Sequence, residues 1–305
     1  MKLKQVAGTF ACVSAFATAG CAAGGTAPSV PSGPGWTYAD GVLYHQPHYA
    51  LTRRLSRTIT PLNAYVPYHG GPVTTAPKFY LIFWGYKKYG DPDKLAPLLE
   101  TYTQVMGGSS HNNIETQYYE TSGTKDIYIT NPTNQYGGSW VDTSPIPNSP
   151  TDEQIAAVAL KAVAHFGYNA NGIYVIATAH KHSEAGFGSH WCSYHSDTFY
   201  NKKLVPYANL PYMPDAGTDC GANIITPPSD ESGVDEGMTI FGGHEFGESI
   251  TDPEPFSAWY GVDGEIGDYC AFHNIANDPF GSKSYTMQPM VSDATQACVQ
   301  GYPSS

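Results

Sequence analysis

Within this 305-residue chain, Gly243-His244-Glu245-Phe246-Gly247-Glu248 has the residue types and spacing to do chemistry. On an α-helix, positions four apart share a face, so His244 and Glu248 can grip one cation, as the two histidines of an HExxH helix grip zinc. Imidazole nitrogen and carboxylate oxygen are both good zinc donors. Glu245 lies beside the first ligand, offset around the helix, where the general base for an ion-activated water is needed. A third ligand must come from outside the helix, and the downstream Gly264-Glu265-Ile266-Gly267-Asp268-Tyr269-Cys270 offers Glu265 or Asp268. Asp252, near the same helix face, is a reserve ligand; it equally suits a helix end, because Pro253 disfavours helix in the residue before it. HExxE alone is a weak signal, since a solvated acidic helix carries it by chance. Three features strengthen it. Met238, Ile240 and Phe241 make the helix look buried. Gly242, Gly243 and Gly247 each cost about 1 kcal/mol of helix propensity, which implies close packing. The second acidic pair stands in a chain with only 14% charged residues. One imidazole and two carboxylates are a hard donor set, so Ca2+ and Mn2+ are alternatives to Zn2+.

Elements that could position these groups follow from periodicity. The apolar run Lys78–Trp84, bounded by Pro77 and Gly85, predicts a strand buried on both faces. Leu95, Leu98, Leu99, Tyr102, Val105 and Met106 fall at helical spacing and stop at Gly107-Gly108. A short strand is expected at Asp126–Thr130. Ile155, Val158, Ala159, Ala162, Val163 and Phe166 form one helical stripe, with a capping box at Thr151 and Gln154 and a stop at Gly167. Ile173–Thr178 is another buried strand. The Gly-, Tyr- and Pro-rich stretch 185–228 holds short extended pieces, Trp191–Ser196 and Leu204–Ala208. The HExxE helix is expected from about Val234 to Ile250, and turns with short strands from Pro253. This alternation predicts an α/β fold with a mostly parallel sheet covered by helices. His180, Lys181, His182, Glu184, His190 and His195 crowd the region after the strand ending at Thr178, where α/β sheets place their sites. His195 is the candidate here, as an electrophile near the ion or a substrate contact; a polar loop beside a disulfide is the plainer account. Trp259 and Tyr260 suit core or cleft wall.

The chain carries 15 Lys and Arg against 27 Asp and Glu, a formal charge of −12. Nucleic acid is therefore excluded as a partner, because phosphate binding needs clustered cations. Lys2 and Lys4 precede the uncharged Val6–Ala19, the layout of an export signal over residues 1–21. Ala17-Thr18-Ala19-Gly20-Cys21 is similar to a bacterial lipobox, with Thr18 where Leu is usual. A lipid on Cys21 would be the one route to a membrane; simple cleavage after a nearby alanine is the alternative. Residues 22–35 form a Gly/Pro/Ser linker expected to be disordered. Residues 36–76 are an arm or a pro-segment, and 77–305 a single catalytic-type α/β domain. Cys192, Cys220, Cys270 and Cys298 remain, an even count in an exported chain, which implies two disulfides. Three pairings exist; Cys192–Cys220 and Cys270–Cys298 close short loops, and no CxxC spacing suggests metal thiolates. No G-x-S-x-G and no phosphate-binding Gly loop occurs.

An HE-bearing helix followed by a glutamate and then an aspartate resembles the gluzincin branch of zincin peptidases. That resemblance implies a twisted sheet with an edge strand over the cleft, Glu265 as third ligand, and Asp268 orienting His244. The chain departs from it in Glu248 replacing a histidine and in the three-residue step from Glu265 to Asp268. A more specific likeness rests on Gly70-Gly71-Pro72-Val73, Ile82-Phe83-Trp84-Gly85, Trp191-Cys192-Ser193-Tyr194-His195, His244 to Glu248 with Thr251-Asp252-Pro253, and Ala258-Trp259-Tyr260 with Glu265 to Cys270. These resemble the phosphate-induced protein/exordium-like family in its bacterial secreted branch. The family implies an extracellular or cell-wall protein and fixes no reaction. Three functions follow as expectations. The first is a secreted zinc endopeptidase acting on peptide or protein, with Glu245 as base. The second is a non-catalytic surface module binding cell-wall glycan or protein around a structural ion. The third is a glycoside hydrolase using Glu245 and Glu248, which leaves His244 without a role.

Overall fold

A computed structural model describes residues 35–56 and 64–303, all within one compact unit, Ser32–Ser305. The expected export signal with Cys21 and, apart from Gly35, the expected linker lie outside the described residues. In chain order the strands are β1 (Trp36–Ala39), β2 (Val42–His45), β3 (His48–Leu51), β4 (Lys78–Trp84), β5 (Tyr119–Ser122), β6 (Lys125–Tyr128), β7 (Tyr136–Trp140), β8 (Gly172–Thr178), β9 (Trp191–Tyr200) and β10 (Lys203–Leu210). The longer helices are α1 (Leu95–Met106), α2 (Asp152–Phe166) and α3 (Glu236–Thr251).

The main sheet runs β1-β2-β9-β10-β8-β4-β7, with β3 also pairing β9. It is parallel where β10, β8, β4 and β7 meet. It is antiparallel where β9 meets β10, β2 and β3, and between β1 and β2. The sheet is therefore mixed, not mostly parallel: the β9–β10 hairpin and the strands of 36–51 supply the antiparallel half. The short strand expected at 126–130 forms at Lys125–Tyr128 but stands outside the main sheet. β6 pairs with β5 in a separate hairpin, and β7 takes the outer place beside β4. Its sequence, Tyr-Gly-Gly-Ser-Trp, is half-buried throughout and shows neither alternation nor an apolar run. β9 and β10 extend beyond the expected pieces.

Both faces of the sheet are covered, which is why β4 and β8 are apolar throughout. Ile173, Val175 and Ala177 face α1 and α3; Tyr174 and Ile176 face the stripe of α2. The capping box of α2 forms, with Gln154 Oε1 accepting the Thr151 backbone N–H at 3.1 Å. α3 lies between the sheet and the C-terminal hairpins, and all sixteen of its residues are buried. Cys192–Cys220 and Cys270–Cys298 are the two disulfides. Each closes a loop of 28 residues, worth roughly 3–4 kcal/mol on chain-entropy grounds.

Tight packing on α3 falls mainly at a glycine outside the three that composition singles out. At Gly243 and Gly247 the tightest contacts are the movable tips of Met287 and Met290, and Gly242 is in ordinary contact. A β-carbon on Gly237, however, would sit 1.9 Å from the Cys220 carbonyl oxygen. Gly237→Ala must push the helix off the Cys192–Cys220 disulfide, an overpacking cost of about 1–3 kcal/mol. The melting temperature should drop by roughly 3–10 °C in calorimetry. An unchanged value would mean that this contact does not set the helix position.

Candidate functional site

Side chains from four segments meet on the sheet-facing side of α3. One helical turn places His244 and Glu248 together, with His244 Nε2 3.2 Å from Glu248 Oε1. β9 alternates so that Ser193 and His195 turn toward α3 while Tyr194 packs on the α2 side. His195 Nδ1 lies 3.4 Å from both Glu245 Oε2 and Glu248 Oε2. Ser193 donates a short hydrogen bond to Glu245 Oε1. The loop after α3 brings Glu265 and Asp268, and β3 brings His48.

Loop placement depends on two glycines. Gly264 has φ +123°, open to glycine and rare for other residues, and its missing side chain leaves room for the Asp268 carboxylate. A β-carbon on Gly267 would meet His244 Nδ1 at 2.8 Å and Glu248 Oε1 at 2.9 Å. The Gly267 and Asp268 backbone N–H groups donate to Glu248 Oε1, while Gln288 donates to the Gly267 carbonyl. Asp268 Oδ1 is then 3.6 Å from His244 Nε2, and its Oδ2 is 2.5 Å from His48 Nε2.

Glu265 stands 3.4 Å from His195 Nε2, across the ring from Glu245 and Glu248. Asp268 approaches the same His244 nitrogen as Glu248, which is the side an ion would occupy; an orienting partner would meet Nδ1. Asp252 ends α3 and accepts from Ser257 and Ala258. The other histidines of the 180–190 region have local partners: His180 with Asp215, His182 with the Pro147 carbonyl, His190 with Ser189. Glu245 and Glu248 both turn to one nitrogen of His195 and do not face each other across a cleft. Trp259 is core, its indole N–H donating to the Tyr119 carbonyl. His48 escapes sequence reasoning, because nothing in a weakly patterned stretch marks it. Ser193 could have been found from its place two residues before His195 on one strand face.

His195, His244, Glu245, Glu248 and Glu265 are fully buried. Among the described residues no Lys or Arg pairs with them; their ion-pair partners are one another, with Asp268 and His48. Neither nitrogen of His195 or His244, neither oxygen of Glu265, and neither Glu245 Oε2 nor Glu248 Oε2 has a hydrogen bond. Charge-assisted hydrogen bonds would close to about 2.7–2.9 Å. Ligands sharing one tetrahedral ion at ~2.0–2.1 Å stand about 3.3–3.4 Å apart, close to the observed spacings. The donors therefore fit a divalent cation. Two overlapping sets are close enough to hold one: His195, Glu245 and Glu248, and His48, Glu248 and Asp268.

Burial lowers the pKa of both inner imidazoles, but the surrounding carboxylates outweigh it and push His195 and His244 up to about 10. Burial, then the charges of Asp252 and Glu248, raises Glu265 well above the usual carboxylate range. Burial also raises Glu245 against the pull of His195 and His244. For Glu248 the imidazoles win over burial and hold it well below that range.

Over 144 residues the chain is 28% identical to Protein EXORDIUM-like 5 of Arabidopsis thaliana, covering 39% of this chain and 38% of that protein. The chain thus matches well under half the length of that relative. No family model and no solved structure matches. Two disulfides and this likeness fit an extracellular protein. No helix among the described residues is long and apolar enough to cross a membrane.

Zn2+ at 100 times its dissociation constant should stabilise chelator-stripped protein by about 2.7 kcal/mol. That is a rise in melting temperature of roughly 5–10 °C. The imidazoles keep their protons until about pH 10 and an ion must displace them, so at fixed Zn2+ the rise is larger at pH 8 than at pH 6. Calorimetry at both pH values reads this. A melting temperature indifferent to Zn2+, Mn2+ and Ca2+ would leave the cluster a cation-free ion network.

Proposed function

We propose that the chain is an exported, bacterial exordium-like protein acting as a metal-dependent hydrolase, with Zn2+ as the ion and a peptide or protein as substrate. One observation carries this: imidazoles and carboxylates converge at ligand-to-ligand spacing, buried and, among the described residues, without Lys or Arg. The set of His48, Glu248 and Asp268, with His244 Nε2 3.2 Å from Glu248 and 3.6 Å from Asp268, is the one proposed to hold the ion. This assigns Asp268, not Glu265, as the third ligand. A bound zinc ion would supply Lewis-acid activation of water and of a peptide carbonyl.

The remaining groups handle protons. Ser193 holds one oxygen of Glu245, leaving Oε2 to take a proton from the attacking water. His195 lies 3.4 Å from that oxygen and can steady the charge as the proton moves. Glu265 faces the far nitrogen of the ring at 3.4 Å, without a hydrogen bond. The layout matches the logic of a zincin helix: ion-holding residues one turn apart with the base beside the first.

Complete burial of the inner donors favours a second reading, a non-catalytic surface module in which the ion ties α3 to the 265–270 loop. Ca2+ or Mn2+ would then serve as well, given the carboxylates. Glu245→Gln separates the two. The hydrolase reading expects metal content retained by elemental analysis and hydrolysis of a denatured protein reduced about 10²–10⁴-fold. Undiminished hydrolysis in Glu245→Gln removes Glu245 as base. Wild-type protein with full metal and no hydrolysis assigns the module.

A further inference from the structure

Beside the site, a surface cavity of about 440 Å³ is lined on one side by Trp36, His45 and Pro47 and on the other by Glu254, Pro255 and Phe256. Two chains of contact join it to the site. Phe256 sets its ring against that of His48 at 4.6 Å, and His48 bonds Asp268. On β9, two residues beyond His195 and on the same face, Asp197 bonds His45 at 2.6 Å.

The walls are built and apolar. Trp36 stacks on His45 at 4.0 Å and on Phe199 at 4.9 Å, which fixes its ring. Pro47 and Pro255 stiffen the two rims. Phe256 is 50% exposed and holds φ +62°, a backbone conformation that bulky residues rarely adopt. Its ring packs edge-on against His48 and Tyr260 and otherwise stays exposed at the mouth of the polar cluster. Glu254 is half-buried in this lining and has no hydrogen-bond or ion-pair partner among the described residues.

We propose that this cavity is the specificity pocket of the adjacent site and takes a lysine or arginine side chain of a peptide substrate. The inference rests on the hydrolase reading for its substrate class. A long basic side chain can lay its methylene stem along apolar walls while its charged head meets the unpaired Glu254 carboxylate. The chain's net charge of −12 attracts such peptides at longer range.

The test uses the full chain carrying Glu245→Gln, so that peptides bind without turnover, and blocked hexapeptides differing at one position as Arg, Lys, Leu or Glu. Calorimetric titration should give Arg and Lys peptides at least ten-fold tighter binding than the Leu peptide. Glu254→Gln should erase that difference, and Glu254→Arg should shift preference to the Glu peptide. Equal affinities for all four, or a preference indifferent to Glu254, overturn the proposal. So does binding of a neutral oligosaccharide that Trp36→Ala abolishes and Glu254→Gln spares. If wild-type protein hydrolyses nothing while the Glu254-dependent preference persists, the pocket stands and the hydrolase reading falls. If it hydrolyses peptides without basic preference at any position, the reverse holds.

Discussion

Carboxyl groups buried, among the described residues, without a lysine or arginine partner are the constraint on which this structure turns. Glu245, Glu248 and Glu265 are fully buried, and Asp268 nearly so. An unpaired ion in such surroundings costs several kcal/mol even after the protein relaxes. Three imidazoles stand in for the missing Lys and Arg, and each is supplied by a different element: α3, β9 and β3. Placing them requires β9 to be polar on one buried face, β3 to pair with it, and the 265–268 loop to fold back onto α3. The Cys270–Cys298 disulfide ties the end of that loop to the C-terminal strands. Removing any one of these supports would leave an acid facing low dielectric alone.

The same constraint explains what could be read from sequence. β4, β8, α1 and α2 bury apolar residues at regular spacing, so their patterns survive in one dimension. α3 and its downstream acids were legible because one helical turn fixes the His244–Glu248 relation locally. β9 was only half legible, since its buried residues include Ser193, His195 and Asp197, whose partners are distant in sequence. β7 was not, because an edge strand carrying Gly-Gly shows no period. His48 was invisible: its partner Asp268 lies 220 residues away, and only the pairing of β3 with β9 brings them together.

Residues 36–51 therefore matter more than their weak pattern suggests. As three short strands they extend the sheet past β9, and they carry both His48 and the wall formed by Trp36. Whether seen as an arm or as a segment awaiting removal, they complete the outer edge of the cluster. Their loss would expose that side of Asp268 and leave it only the Glu265 backbone N–H as a hydrogen-bond partner.

Exposure within the cluster is graded, and the gradient bears on what the site is for. The donors on α3 and β9 are sealed, while the His48 and Asp268 side chains are 11% and 9% exposed. An ion that served only to fasten α3 to its loop would need no such margin. Instead the margin opens beside a cavity whose rim holds an exposed phenylalanine and an unpaired glutamate. Sealed proton-handling groups on one side of a cation site and a shaped approach on the other are what a reaction on an external substrate requires, because the chemistry must be shielded from bulk water while the substrate is admitted. That asymmetry is what the proposed hydrolase would require and what a structural clamp would not.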